Sequence, residues 1–109
     1  MNWNVLADEA QLEQIIEQSK SRPIVIFKHS TRCSTSSMVK VRLERSAQPE
    51  HIDFYYLDLI QYRSISNRTA EIFNVYHESP QVLLIKDGEC IYDESHHAIY
   101  MDDIIAQVA

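Results

Sequence analysis

The chain has 109 residues, 45% of them hydrophobic, and a formal net charge of −6. That length suits one globular domain, residues 1–109, with an ordinary core. The acidic balance argues against nucleic acid as a partner, because the chain as a whole repels phosphate, and no apolar run approaches the roughly 20 residues of a membrane span.

Taken in chain order, the first helix is expected from Asp8, with Gln11 completing a weak capping box. Leu12, Ile15 and Ile16 form its apolar stripe. The polar stretch Ser19 to Arg22 follows, and Pro23 closes it. Ile24 to Phe27 is a continuous apolar run rich in β-branched residues. It is too short for a helix and predicts a strand covered on both faces, with Lys28 and His29 closing it. A polar loop leads into a helix over about Ser34 to Ser46, with Val39 and Leu43 facing inward. Pro49 ends that region. Phe54 to Leu59 predicts a second strand, and Ser64 to Phe73 a helix that buries Ile65, Ile72 and Phe73. Asn74 suits the left-handed position after a helix. Gln81 to Lys86 predicts a third strand, Asp87-Gly88 a tight hairpin, and Glu89 to Asp93 the return strand. A last helix, about Asp102 to Val108, buries Ile104, Ile105 and Val108. The pattern predicts an α/β fold: a central mixed sheet of four strands flanked by helices, with an extra helix at the N-terminus.

The chemistry concentrates at Cys33, where the Ile24–Phe27 strand gives way to a helix. Unpaired backbone N–H groups and the helix dipole favour a thiolate at a helix start, and thiolate is the reactive form. Ser30, Thr31, Arg32, Ser34, Thr35, Ser36 and Ser37 surround it, and so polar a neighbourhood does not line a core. The second position of a Cys-x-x-Cys pair is Ser36, so the site is monothiol. The other cysteine, Cys90, lies on the return strand, where a structural role is expected. Alternation sets Cys90 and Tyr92 on one face and Ile91 on the other. Two cysteines so far apart make no disulfide framework. No metal site is expected, since neither a Cys-x-x-Cys nor a His-x-x-x-His spacing occurs and adjacent His96 and His97 diverge. The stretch Met1-Asn2-Trp3-Asn4 lacks the basic and apolar regions of a signal peptide, so the expected location is cytoplasmic.

The stretches Lys28-His29-Ser30-Thr31-Arg32-Cys33-Ser34-Thr35-Ser36 and His77-Glu78-Ser79-Pro80-Gln81 resemble those of the small monothiol bacilliredoxins, which have the thioredoxin fold. The resemblance runs over essentially the whole chain. One departure is that Ser34 and Thr35 stand where that family has Pro-Ile. The resemblance implies a thiol–disulfide oxidoreductase with no bound cofactor and with bacillithiol as co-substrate. Its partners would be bacillithiol-modified client proteins, and a second bacillithiol or a reductase would reset it. No nucleic acid or membrane is involved in that scheme. The resemblance also implies that the Ser79–Pro80 bond is cis and faces the cysteine, with Ser79 presenting its backbone to an extended ligand.

Beside Cys33 as nucleophile, the supporting residues expected are Arg32, Ser34, Ser36, Ser79, Pro80 and His29. Arg32 brings positive charge and matches the geometry of a carboxylate such as the malate of bacillithiol; the alternative is a solvated loop arginine. Ser36 either donates to the thiolate or is an ordinary first-turn serine. His29 either tunes the sulfur or is packed at the strand end, the plainer reading being preferred. His77 lies near the expected cleft with no assigned partner. Other thiol enzymes fit less well. Ile26 stands where a peroxidatic enzyme has proline, and Val39 where a cysteine phosphatase has arginine. The Gly-Phe-Ser of a cluster-carrying glutaredoxin is absent. The rival from another class is a thioredoxin-fold redox sensor or binding module in which Cys33 is only a modification site.

Overall fold

Six consecutive buried residues, Ile24–His29, form the strand around which the chain is arranged. The computed structural model describes residues 1–109, with elements β1 (Trp3–Val5), α1 (Ala10–Gln18), β2 (Ile24–His29), α2 (Ser34–Arg45), β3 (Asp53–Asp58), α3 (Arg63–Phe73), β4 (Gln81–Lys86), β5 (Glu89–Ser95) and α4 (Met101–Ala106). A single 3₁₀ turn, His96–Ala98, joins β5 to α4. The sheet has five strands in the order β1-β3-β2-β4-β5. β3 runs parallel to both β1 and β2, whereas β4 is antiparallel to β2 and β5.

The fifth strand is a correction to the four expected. Trp3–Val5 is too short to show periodicity, and it forms because β3 offers a free edge in register with it, Trp3 opposite Phe54. Trp3 then covers that end of the core: its ring stacks on Phe27 at 5.6 Å and meets Phe54 and Tyr56 edge-on. Its Nε1–H donates to Glu44 of α2 at 2.8 Å.

The pleat of β2 sends alternate side chains into two cores. Ile24 and Ile26 join Leu12 and Ile15 of α1, Leu57 of β3, and Ile65 and Phe73 of α3. Val25 and Phe27 join Val39 and Leu43 of α2, Phe54 of β3, and Met101 and Ile104 of α4. Each fully buried side chain of this kind stabilises the fold by roughly 1.5–3 kcal/mol. β2 is therefore fixed from both sides, and whatever leaves its C-terminal end leaves from a rigid point.

The helix signals act locally. Asp8 accepts the Ala10 N–H, and the Gln11 side chain accepts those of Ala7 and Asp8, so the expected capping residues hold a helix that begins two positions later than anticipated. Asn74 takes the left-handed conformation, φ 54°, at the end of α3. Asp87 and Gly88 both have positive φ in the β4–β5 turn. α4 starts at Met101 and buries Met101 and Ile104, while Ile105 and Val108 are only half-buried. Ile72 is likewise half-buried, and the buried face of α3 includes Ser66 and Thr69 instead.

β5 departs from simple alternation. Ile85 pairs with Cys90 and Leu84 with Tyr92, so Ile91 is an extra residue in a β-bulge. The bulge resets the pleat: Cys90 packs on the α1–α3 core and Tyr92 on the α2–α4 core. They do not share a face as expected.

Candidate active site

Cys33 is the N-cap of α2, with φ −109° and ψ 120°, and its side chain makes no capping bond. Its N–H donates to the Ser30 carbonyl at 3.2 Å, closing the turn that leaves β2. Ser37 has the first amide bonded within the helix, to the Cys33 carbonyl at 3.1 Å. The amides of Ser34, Thr35 and Ser36 therefore have no intrahelical acceptor. The thiol is free and half-exposed at the helix end that favours negative charge.

Ser36, where a second thiol would sit, is buried and occupied elsewhere. Its Oγ accepts the Ser30 N–H at 3.0 Å and lies 2.6 Å from His29 Nδ1. These contacts tie the first turn of α2 to the end of β2 and aim the hydroxyl at His29, not at sulfur. His29 is itself buried, between the rings of Phe27 and Tyr56 at 5.7 and 5.5 Å. Burial first, and then the charge of Lys40, hold its imidazole below the usual histidine range. His29 is thus a packed strand-end histidine that anchors Ser36. Arg32 and Ser34 are exposed and make no side-chain bond, which leaves Arg32 open to a ligand.

The Ser79–Pro80 peptide is cis. Gln81, the next residue, pairs with Lys28 on β2, so Pro80 lies at the end of the sheet from which the Cys33 turn departs. Pro80 is buried, and its carbonyl accepts the His96 N–H at 2.9 Å. The buried Gln81 side chain donates to the Tyr76 carbonyl at 2.9 Å and accepts from the Glu78 N–H, fixing the loop before the proline. Ser79 Oγ is buried without a hydrogen-bond partner.

The sequence pattern does not single out Lys28. Lys28 is wholly buried, on the α3 side of β2, and no carboxylate forms an ion pair with it. Its Nζ lies 3.3 Å from Nδ1 of His77, which is also 3.4 Å from Ser66 Oγ. Burial pushes the Lys28 ammonium down to about 8. A lysine continuing the Ile24–Phe27 run is the signal that could have found it. Cys90 sits on the sheet face opposite α2, separated from β2 by β4, and burial pushes its thiol up to about 11. No three His, Cys, Asp or Glu side chains come together in a group suited to a metal ion. No helix is long and apolar enough to cross a membrane.

A mixed sheet flanked by helices, a lone thiol on the N-cap residue of the helix after the central strand and a cis-proline at the same sheet end define a thioredoxin-fold protein with a thiol oxidoreductase-like site. A solved structure of a candidate oxidoreductase with a thioredoxin fold is 32% identical, with a TM-score of 0.81, over 94% of this chain and 89% of that one. Fasciola hepatica thioredoxin is similar in fold, with a TM-score of 0.72 at 24% identity over 85% of this chain and 86% of its own. Malassezia sympodialis thioredoxin gives 0.76 at 18% identity over 98% and 88%. Residues 4–104 match the family described as Monothiol bacilliredoxin BrxC, and the chain belongs to that family.

Proposed function

We propose that the protein removes bacillithiol from mixed disulfides on client proteins, with Cys33 as nucleophile. The observation that carries this reading is the lone, half-exposed thiol at the N-cap of α2, with a buried, engaged serine in place of a resolving cysteine. A monothiol can exchange with a mixed disulfide but cannot expel its own adduct, so it needs a small thiol to complete a cycle. The Cys33 thiolate attacks the bacillithiol sulfur. A Cys33–bacillithiol disulfide forms, the client–bacillithiol bond breaks, and the client departs as a thiolate that takes up a proton. A second bacillithiol thiolate then attacks the adduct, leaving oxidised bacillithiol and the Cys33 thiolate; a reductase supplying two electrons would serve equally. In this reading exposed Arg32, next to Cys33 in the chain, receives a carboxylate of the small thiol, and the clients are cytoplasmic proteins.

The test is turnover. A client carrying a bacillithiol mixed disulfide is mixed with a catalytic amount of the protein and excess bacillithiol, and intact masses are followed. Many equivalents of freed client per protein, with a transient adduct on Cys33 that Cys33→Ser abolishes, are expected. A stoichiometric adduct that never clears would instead make the protein a redox sensor.

A further inference from the structure

The cluster Lys28–His77–Ser66 stands outside the reaction just described. Lys28 extends from the central strand into the α1–α3 side of the sheet and is 0% exposed. A buried ammonium normally has a carboxylate beside it, because leaving water is otherwise unfavourable. Here its polar contact is Nδ1 of an imidazole at 3.3 Å. An ammonium has hydrogens to give and no lone pair to accept with, so Nδ1 is the acceptor and the ring proton of neutral His77 resides on Nε2. His77 itself is exposed. Its ring thus has one edge held from inside by a positive charge and presents an N–H on the other.

The location ties this edge to the thiol. His77 lies three residues before cis Pro80, in the loop that Gln81 holds in place. Lys28 pairs with Gln81, one position before His29, after which the chain turns to Cys33. Arg63, at the start of α3, adds a further positive charge acting on His77. The acidic residue acting on it, Glu78, is itself paired with His96 at 3.0 Å. Lys28 itself forms no ion pair, and Asp58, the carboxylate opposite His29 on β3, accepts the Ile60 and Gln61 amides.

We infer that His77 is a binding residue for an anionic group of the small thiol carried by the mixed disulfide, and that buried Lys28 is the positioning residue that keeps its Nε2–H donor outward. A carboxylate or phosphate accepting from Nε2–H also approaches the unbalanced Lys28 charge, through a medium that screens it less than water does. Exposed Arg32, next to Cys33 in the chain, would supply a second cationic contact to the small thiol. The inference rests on the disulfide-exchange reading and adds what that exchange selects: an anionic thiol over a neutral one.

The experiment follows the rate at which Cys33 is thiolated, by intact mass, with three symmetric disulfides: of mercaptosuccinate, of coenzyme A and of 2-mercaptoethanol. The first two separate carboxylate from phosphate as the favoured anion. Wild type, Lys28→Met and His77→Phe are compared at about 1 M salt, where a Debye length of about 3 Å removes long-range steering. His77→Phe keeps the ring and the net charge of the neutral state while deleting the donor. In both variants the anionic-to-neutral rate ratio is expected to fall about tenfold, the factor for roughly 1.4 kcal/mol. The rate with the neutral disulfide is the reference that removes any general loss of reactivity from the ratio. Nitrogen-15 spectra of the wild-type ring should show the His77 proton on Nε2, and Lys28→Met should redistribute it. An unchanged ratio in both variants, or a proton on Nδ1 in wild type, overturns the inference. Turnover is scored separately with excess bacillithiol: turnover without charge selection sinks this inference alone, and selection without turnover sinks the catalytic reading alone.

Discussion

Replacing Lys28 by methionine should make the protein more stable. Lys28 is wholly buried, and desolvation lowers it from an ordinary 10.5 to about 8. At about 1.36 kcal/mol per pH unit, holding the ammonium charged in the interior costs on the order of 3 kcal/mol at neutral pH. Methionine has a similar length, leaves Ile24 and Ile26 their packing and carries no charge. After the lost contact to His77 is deducted, a gain of about 2 kcal/mol is expected in urea denaturation near pH 7. The pH dependence tests the cause. Below about pH 8 the penalty is fully present. Between about 8 and 10.5 the unfolded chain holds the lysine proton more than the folded chain does, so wild-type stability gains from this group as pH rises. Cys90, raised to about 11, and Tyr55, Tyr56 and Tyr92, also raised, act in the opposite sense. They cancel in the difference between variant and wild type. The advantage of Lys28→Met should therefore shrink toward zero by about pH 10.5. A destabilised variant, or an advantage constant across that range, would refute the desolvation account. The same substitution is expected to lose selectivity for an anionic thiol, so a stabilising change at Lys28 and a loss of function would go together.

The expected order of elements is found because each rests on a local signal strong enough to survive packing. Asn74 and Asp87-Gly88 occupy positive-φ positions that their residue types favour. Cys33 was legible because an apolar run meets a polar one at that point. The features that escaped are those set by partners distant in sequence. Trp3–Val5 is a strand only because β3 has an edge to fill. The bulge at Ile91 adds a residue that alternation, counted along one strand, cannot reveal. Lys28 reads in the sequence as the close of a strand, yet it is wholly buried and its Nζ meets His77 of the loop before Pro80. Ser36 was weighed as a partner of sulfur, and its actual partner, His29, is fixed by aromatic packing between β2 and β3. The cis bond at Pro80 followed from the family resemblance alone, since few prolines are cis and no neighbouring residue signals it.

The thiols should differ sharply toward iodoacetamide near pH 8. Burial holds Cys90 at about 11, so peptide mapping should find Cys33 modified while Cys90 remains protonated and free; equal labelling would contradict the placement of Cys90 in the α1–α3 core. Ser36→Ala tests the anchor of the first helical turn. The substitution leaves the Ser30 N–H and His29 Nδ1 without the oxygen they now share. A buried polar group that loses its partner costs about 1–3 kcal/mol, so the bare His29 Nδ1, with a smaller share from the half-buried Ser30 N–H, should lower stability by about that much in denaturation. The chemical consequence separates the two roles weighed for this serine. If Ser36 only anchors the turn, Cys33 in the folded variant is thiolated more slowly because the turn loosens, and the alkylation-rate profile against pH keeps its midpoint. A moved midpoint with unchanged stability would mean instead that the hydroxyl serves the sulfur directly, and the anchoring role assigned to the His29–Ser36 pair would fall.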